Sequence, residues 1–226
     1  MPLPVADSPS HELLILESDI EGHSQEWLQH LVEFVAAGDA QGGGICVVAP
    51  PALCTALSRH LPAGATDRVR FMAMTQREQS LCGYRVLTIA AFARWWTMCR
   101  YLRLSGASAG FFLSLDLLCI PLGLGLGAAG KPLAGILFRP SVHYAAMGGY
   151  RPSLGERLRD LRKNLFYRLM LRNPAVRTVL SLDPFFPDHA VSHYPAGVKV
   201  RALPDPAEPP ATVATVSPAI HDFVPA

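Results

Sequence analysis

The chain has 226 residues, half of them hydrophobic and 17% charged, with 20 Lys and Arg against 18 Asp and Glu for a formal net charge of +2. That length suits one full α/β domain with a tail rather than two domains of ordinary size, and the charge is far from the strongly basic balance that binding of nucleic acid calls for. The five cysteines, Cys46, Cys54, Cys82, Cys99 and Cys119, are odd in number and lack C-x-x-C spacing, so they read as buried, reduced thiols of a cytoplasmic protein.

Met1 to Ser10 carries no Lys or Arg and no long apolar core, unlike a secretory signal, and residues 1–11 are expected to be disordered. The apolar run from Glu12 to Glu17 predicts a first buried strand, and Ser24 to Ala37, with Trp27, Leu28, Leu31, Val32, Phe34 and Val35 at helical spacing, predicts a helix closed by Gly38. Gly44 to Ala49 predicts the second strand. Pro50 and Pro51 open a helix that runs to about His60, because proline in a first turn needs no donor. A third strand is expected over Val69 to Met74, a polar loop over Thr75 to Ser80, and a long helix over Tyr84 to Ser105 ended by Gly106.

Ala109 to Leu115 reads as the fourth strand, Leu117 to Ala129 as an apolar, glycine-rich crossover, and Leu133 to Phe138 as the fifth strand. Ala107 to Gly130 is the longest apolar stretch, but Asp116 falls within it, Pro121 follows and Gly123, Gly125 and Gly127 weaken a helix, so a membrane span is not expected. Arg139 to Ser153 has no period and reads as a long loop. Ser153-Leu-Gly-Glu156 is a capping pattern that starts a helix with leucines at 154, 158, 161, 165 and 169, ended by Asn173-Pro174. A sixth strand over Val176 to Leu182, a short helix over Pro184 to His193 and a seventh strand over Val198 to Leu203 follow. Strand and helix alternate throughout, with connections too long for hairpins. The alternation predicts an α/β fold with a doubly wound, mainly parallel, Rossmann-like sheet of about seven strands over 12–203, and a Pro-rich linker or tail over 204–226.

In an open parallel sheet, ligands bind beyond the carboxyl ends of the strands, where loops and helix N-termini gather. Gly22 and His23 follow the first strand: the glycine lets a substrate approach the backbone and the histidine can donate to a hydroxyl or phosphate, or the pair is a plain turn with a solvent-facing ring. Asp116 follows the fourth strand, where a carboxylate orients an acceptor hydroxyl or acts as general base, or else caps a helix ahead of Leu117. Arg139 and His143 follow the fifth; arginine offers a fork of donors to phosphate or carboxylate and histidine shuttles a proton near neutrality, the alternative for Arg139 being a buried pair with Asp116 or Glu17. Asp183-Pro184 after the sixth strand reads as a helix cap. Gly125-Leu-Gly-Ala-Ala-Gly130 matches G-x-G-x-x-G, but a strand follows it instead of preceding it, and Tyr150 stands where the acidic residue belongs, so it is not read as a dinucleotide site. The histidines and cysteines lack paired ligand spacing, and no metal site is expected. The helix from Ser153 to Arg172 carries Arg157, Arg159, Arg162, Lys163, Arg168 and Arg172. It is either a solvated outer face or, through Arg159, Arg162 and Lys163, a surface for anionic lipid at the inner face of the membrane.

Glu17 to Gly22-His23, then Leu137-Phe138-Arg139-Pro140 with His143-Tyr144, then Val179-Leu-Ser-Leu-Asp183-Pro184, and finally Val200-Arg-Ala-Leu-Pro-Asp-Pro206, in that order, together resemble the N-terminal domain of GT-B glycosyltransferases of the family 4 type. The resemblance covers roughly residues 12 to 210. It implies one half of a two-domain enzyme that moves sugar from a nucleotide-sugar co-substrate, with no other cofactor, to an acceptor glycan or lipid-linked substrate. Gly22 and His23 would lie in the loop near donor phosphate and acceptor, Arg139 and His143 on the acceptor side of the cleft, with His143 and Asp116 as the catalytic candidates, and Pro204 to Pro210 at the interdomain hinge. The donor-binding domain with its Glu-x7-Glu signature is not in these 226 residues, so the chain alone is expected to be inactive and to need that domain or a partner subunit. The alternative is a non-catalytic α/β binding or membrane-docking module.

Overall fold

The computed structural model describes residues 13–19, 23–38, 43–61, 68–138, 140–146, 153–194 and 199–203. Gly22 and Arg139, together with the expected disordered start and Pro-rich end, lie outside them; the side chains of His23 and His143 do as well. The described residues form an α/β, Rossmann-like fold of seven strands, and their strand pairings are parallel. Packing divides the chain after Leu113 into two compact units.

The first unit contains β1 (Leu13–Leu16), α1 (His23–Ala36), β2 (Ile45–Ala49), α2 (Pro51–Arg59), β3 (Val69–Ala73), α3 (Gln76–Cys82), α4 (Leu87–Ser105) and β4 (Ala109–Phe112). Its strand order is β3-β2-β1-β4, with Leu13 in register with both Ile45 and Ala109. The chain therefore steps outward from β1 to β3 and returns through α3 and α4 to lay β4 on the other side of β1. Every residue of β2 is buried, as expected of a strand covered on both faces of a parallel sheet. Leu28, Val32 and Val35 of α1 and Ala90, Ala91, Met98 and Leu102 of α4 supply buried side chains to this core. Gly38 and Gly106, at φ of 85° and 76°, stand just past the ends of α1 and α4, where a left-handed residue stops a helix at least cost.

The polar segment from Thr75 to Ser80, expected as a loop, is instead the start of α3. Thr75 and Glu78 form a capping box in which the threonine hydroxyl accepts from Glu78 N and the glutamate accepts from Thr75 N at 2.9 Å. The reciprocal cap satisfies two donors that a helix start otherwise leaves open, which lets a polar run be helical.

Gly44, ahead of β2, has no room for a side chain: an added Cβ would lie 2.6 Å from the Arg68 carbonyl oxygen. That same oxygen accepts from Ile45 N at 2.7 Å, so the backbone that would have to move is holding the β2 to β3 ladder. Gly44→Ala is expected to lower stability by about 1–3 kcal/mol through this overpacking, read as an earlier urea midpoint with an unchanged slope.

The second unit begins with a 3-10 turn (Leu115–Leu118) and continues through α5 (Cys119–Gly123), β5 (Leu133–Leu137), a second 3-10 segment (Ser141–Ala146), α6 (Leu154–Arg172), β6 (Val176–Ser181), α7 (Phe186–His193) and β7 (Lys199–Ala202). Its strand order is β5-β6-β7, with Ile136 opposite Leu180 and Leu180 opposite Arg201. β5 is buried along its whole length. The Tyr167 and Phe186 rings meet edge to face at 6.0 Å between centroids, a geometry that aligns positive ring edge with negative face. Buried Asn173 ends α6 and donates to the carbonyls of Leu122 and Leu126 at 2.8 and 3.0 Å while accepting from Ala175 N at 2.9 Å. Three bonds satisfy an amide that burial would otherwise penalise.

The apolar stretch from Ala107 to Gly130 is divided among β4, the first 3-10 turn, the five-residue α5 and further turns. Among the described residues, no helix is long and apolar enough to cross a membrane. Gly125 to Gly130 ends in a turn closed by an antiparallel bridge between Ala128 and Lys131, without the strand-to-helix context a dinucleotide fingerprint needs. The leucine stripe of α6 also differs from the usual expectation for a helix packed on a sheet. Tyr167, Met170 and Leu171 are the buried residues of α6, whereas Leu154, Leu158, Leu161 and Leu165 are exposed.

Candidate functional site

In the first unit the strand order reverses between β1 and β4, and such a switch point opens a crevice at the carboxyl ends of the strands. The residues that leave β1 there are Glu17, Ser18 and Asp19. Glu17 and Ser18 are buried; Glu17 N continues the ladder to the Val48 carbonyl at 3.0 Å, and Asp19 N donates to Glu17 Oε1 at 2.8 Å. From α4, buried Arg94 donates through Nε to Ser18 Oγ at 2.8 Å and through a terminal nitrogen to Asp19 Oδ1 at 3.1 Å. The guanidinium fork thus fixes the start of the segment that leads to Gly22 and to His23, the first residue of α1. Sequence reasoning missed Arg94. The signal available was its position as the only charge between Leu87 and Cys99, an apolar run in which a charge needs a partner.

At the carboxyl end of β3 a second polar group collects around buried Glu78. Its carboxylate accepts from Thr75, from Arg100 and from the Tyr101 hydroxyl at 3.1 Å. These partners are all supplied from within the fold, so the cluster reads as a brace between α3 and α4.

In the second unit Asp116 sits inside the first 3-10 turn, not at a helix cap, which is Ser114. Its Oδ2 accepts from Phe138 N at 2.8 Å and its Oδ1 from the Tyr167 hydroxyl at 2.5 Å. The carboxylate is therefore brought to the carboxyl end of β5, beside the residue that precedes Arg139. A carboxylate offers about four acceptor positions, of which these bonds use two, and the Asp116 side chain is half-buried. Burial, followed by the nearby Asp116 charge, pushes the Tyr167 phenol far above its ordinary range, so it stays a donor. The same two causes push the Cys119 thiol up to about 11, which keeps it protonated and a poor nucleophile at neutral pH.

The 3-10 segment containing His143 is tied to α6 by Ser141 Oγ and Asp160 Oδ1 at 3.5 Å. After β6, Asp183 Oδ1 accepts from Phe185 N at 3.0 Å, and the Ser181 hydroxyl binds Asp183 N and O at 3.1 Å. Asp183 is therefore not the helix cap expected: the N-cap of α7 is Phe185, which makes no side-chain capping bond, and Asp183 closes a turn ahead of it. Of the basic residues on α6, Arg159 is turned toward Glu156 and Asp160 at 4.0 and 3.9 Å. Among the described residues, no group of three or more His, Cys, Asp and Glu is placed to hold a metal ion.

No protein-family model and no curated protein matches the chain. Among solved structures it is similar to a UGT transferase from Siraitia grosvenorii in complex with UDP, at 13% identity over 93% of this chain and 53% of that one with a TM-score of 0.48. It is also similar to a glycosyltransferase from Rickettsia africae, at 8% identity over 90% of this chain and 47% of that one with a TM-score of 0.45. The chain spans about half the length of each.

Proposed function

We propose that this chain is the acceptor-binding half of a GT-B glycosyltransferase of the family 4 type, acting with a donor-binding domain or subunit. The observation that carries the reading is where the segments of the resemblance fall. Within the first unit, Glu17 to Asp19 leave the carboxyl end of β1 at the switch point; within the second, the segments before Arg139, at Asp183 and at Leu203 leave the carboxyl ends of parallel β5, β6 and β7. Within each unit, the carboxyl ends of parallel strands are where ligands bind.

In this reading Arg139 grips an anionic or hydroxyl-rich part of the acceptor, and Gly22 with His23 serve as the phosphate-side loop that the resemblance implies. The acceptor oxygen attacks the anomeric carbon of the sugar, the bond from that carbon to the diphosphate oxygen breaks, and the acceptor proton passes to His143 or to Asp116. Stabilising the departing diphosphate falls to the donor-binding part, with water excluded by closure. His143 suits the proton transfer because imidazole titrates near neutrality.

Calorimetric titration of the chain with a panel of lipid-linked saccharides and with UDP-sugars tests the reading. Acceptor is expected to bind, and UDP-sugar to bind at least about tenfold more weakly. Arg139→Ala and His143→Ala should each weaken acceptor binding by roughly tenfold, the loss of one good hydrogen bond to a charged group, with unchanged melting temperature. Unaltered acceptor affinity in both variants overturns the assignment.

A further inference from the structure

The exposed side of α6 combines apolar and basic residues in a way the fold does not use. Leu154, Leu158, Leu161 and Leu165 are 83%, 70%, 66% and 53% exposed. At 100° per residue they fall within an arc of roughly 60°, and they extend along roughly 16 Å of helix. Arg157, Arg162, Arg168 and Arg172 are also exposed and lie within roughly 80° of the centre of that arc by the same spacing. The acids of α6, Glu156 and Asp160, are on the opposite half, the side of buried Tyr167, Met170 and Leu171.

Charge distribution sharpens the point. The 19 residues of α6 hold six Lys and Arg against two Asp and Glu, a net +4, while the rest of the chain holds fourteen against sixteen, a net −2. The positive balance of the protein is therefore concentrated on one helix, and on its outward side the apolar and cationic residues are not accompanied by any acid.

We propose that α6 lies flat on an anionic lipid surface, with Leu154, Leu158, Leu161 and Leu165 entering the headgroup boundary and Arg157, Arg162, Arg168 and Arg172 pairing with lipid phosphates. An amphipathic helix on a bilayer needs this pattern: leucine stems in the acyl boundary and guanidinium groups level with the headgroups. Charge complementarity selects this occupant over a second copy of the chain, because two copies of the face would bring four arginines against four arginines. The geometry also reassigns the contact. Arg162 belongs to the lipid-facing set, whereas Arg159, held toward Glu156 and Asp160, and half-buried Lys163 lie toward the body of the protein. The proposal does not rest on sugar transfer, since the probe contains no acceptor.

The test is co-sedimentation of the whole chain with vesicles of phosphatidylcholine alone and with about 30 mol% phosphatidylserine added. Partitioning onto the anionic vesicles is expected to exceed that onto neutral ones by at least about tenfold and to fall in about 0.5 M salt. The triple variant R157Q/R162Q/R168Q and the triple variant L158S/L161S/L165S should each reduce partitioning by about tenfold or more, with circular dichroism unchanged because all six side chains are exposed. The control R159Q/K163Q should stay within about twofold of the parent. Equal partitioning onto both vesicles, no partitioning onto either, or parent-like binding by the two triple variants overturns the proposal. So does a dimer in sedimentation equilibrium that the leucine variant dissociates.

Discussion

Glu78→Ala is expected to destabilise the protein by about 1–3 kcal/mol, because the donors that meet at this buried carboxylate lose their acceptor. The substitution removes the capping box of α3 and leaves Arg100 and Tyr101 without the carboxylate they both reach. Burial alone would raise the Glu78 carboxyl, yet the hydrogen bonds from Thr75, Arg100 and Tyr101 outweigh it and hold the group below its ordinary value. The folded state therefore binds this proton less readily than the unfolded chain. Its contribution is fully present above the unfolded value near 4.5 and is lost as the pH falls through the folded value. Urea denaturation of wild type and Glu78→Gln as a function of pH checks this. The gap between them should be constant well above the unfolded value near 4.5 and close as the pH falls below it. A gap that widens on acidification contradicts it.

Asp116→Ala should cost about 2–4 kcal/mol, because it leaves Phe138 N and the Tyr167 hydroxyl without an acceptor inside the second unit. Tyr167→Phe removes only the donor of one bond and should cost about 1 kcal/mol. The double variant should be less destabilised than the sum of the two, as residues sharing one bond are not additive; thermal melts of the three variants read this directly. Asp116→Asn separates bracing from chemistry, since an amide still accepts a hydrogen bond and cannot take up a proton at neutral pH. Under the proposed function, a folded Asp116→Asn chain that supports transfer as well as wild type, when combined with a donor-binding part, assigns the proton to His143 instead.

The strands were plain in the sequence because buried parallel strands are short, continuous apolar runs, and Leu13–Leu16, Ile45–Ala49 and Leu133–Leu137 are runs of that kind. Ser153-Leu-Gly-Glu156 announces its helix, whereas Thr75-Gln-Arg-Glu78 has the same spacing without an apolar period after it and so does not read as a helix start. The α6 leucines repeat at helical spacing, and so do Tyr167, Met170 and Leu171; periodicity identifies a helix and not which of two apolar sides meets the sheet. Asp116 was legible as a carboxylate near a strand end. Its partners were not, because Phe138 and Tyr167 lie 22 and 51 residues away in sequence. Arg94 shows the same limit: Ser18 and Asp19 are 76 and 75 residues distant, and only folding brings a guanidinium to them.

Four of the five cysteines, Cys46, Cys54, Cys82 and Cys99, are shut inside the first unit. Burial raises the Cys54 and Cys82 thiols, so reagents that attack thiolate find neither access nor the reactive form there. Cys119, the fifth, belongs to the second unit and is half-buried. Nature has thus tagged the two halves of the polypeptide unequally, and alkylation during partial opening distinguishes loosening of one half from loosening of the other without any engineered label.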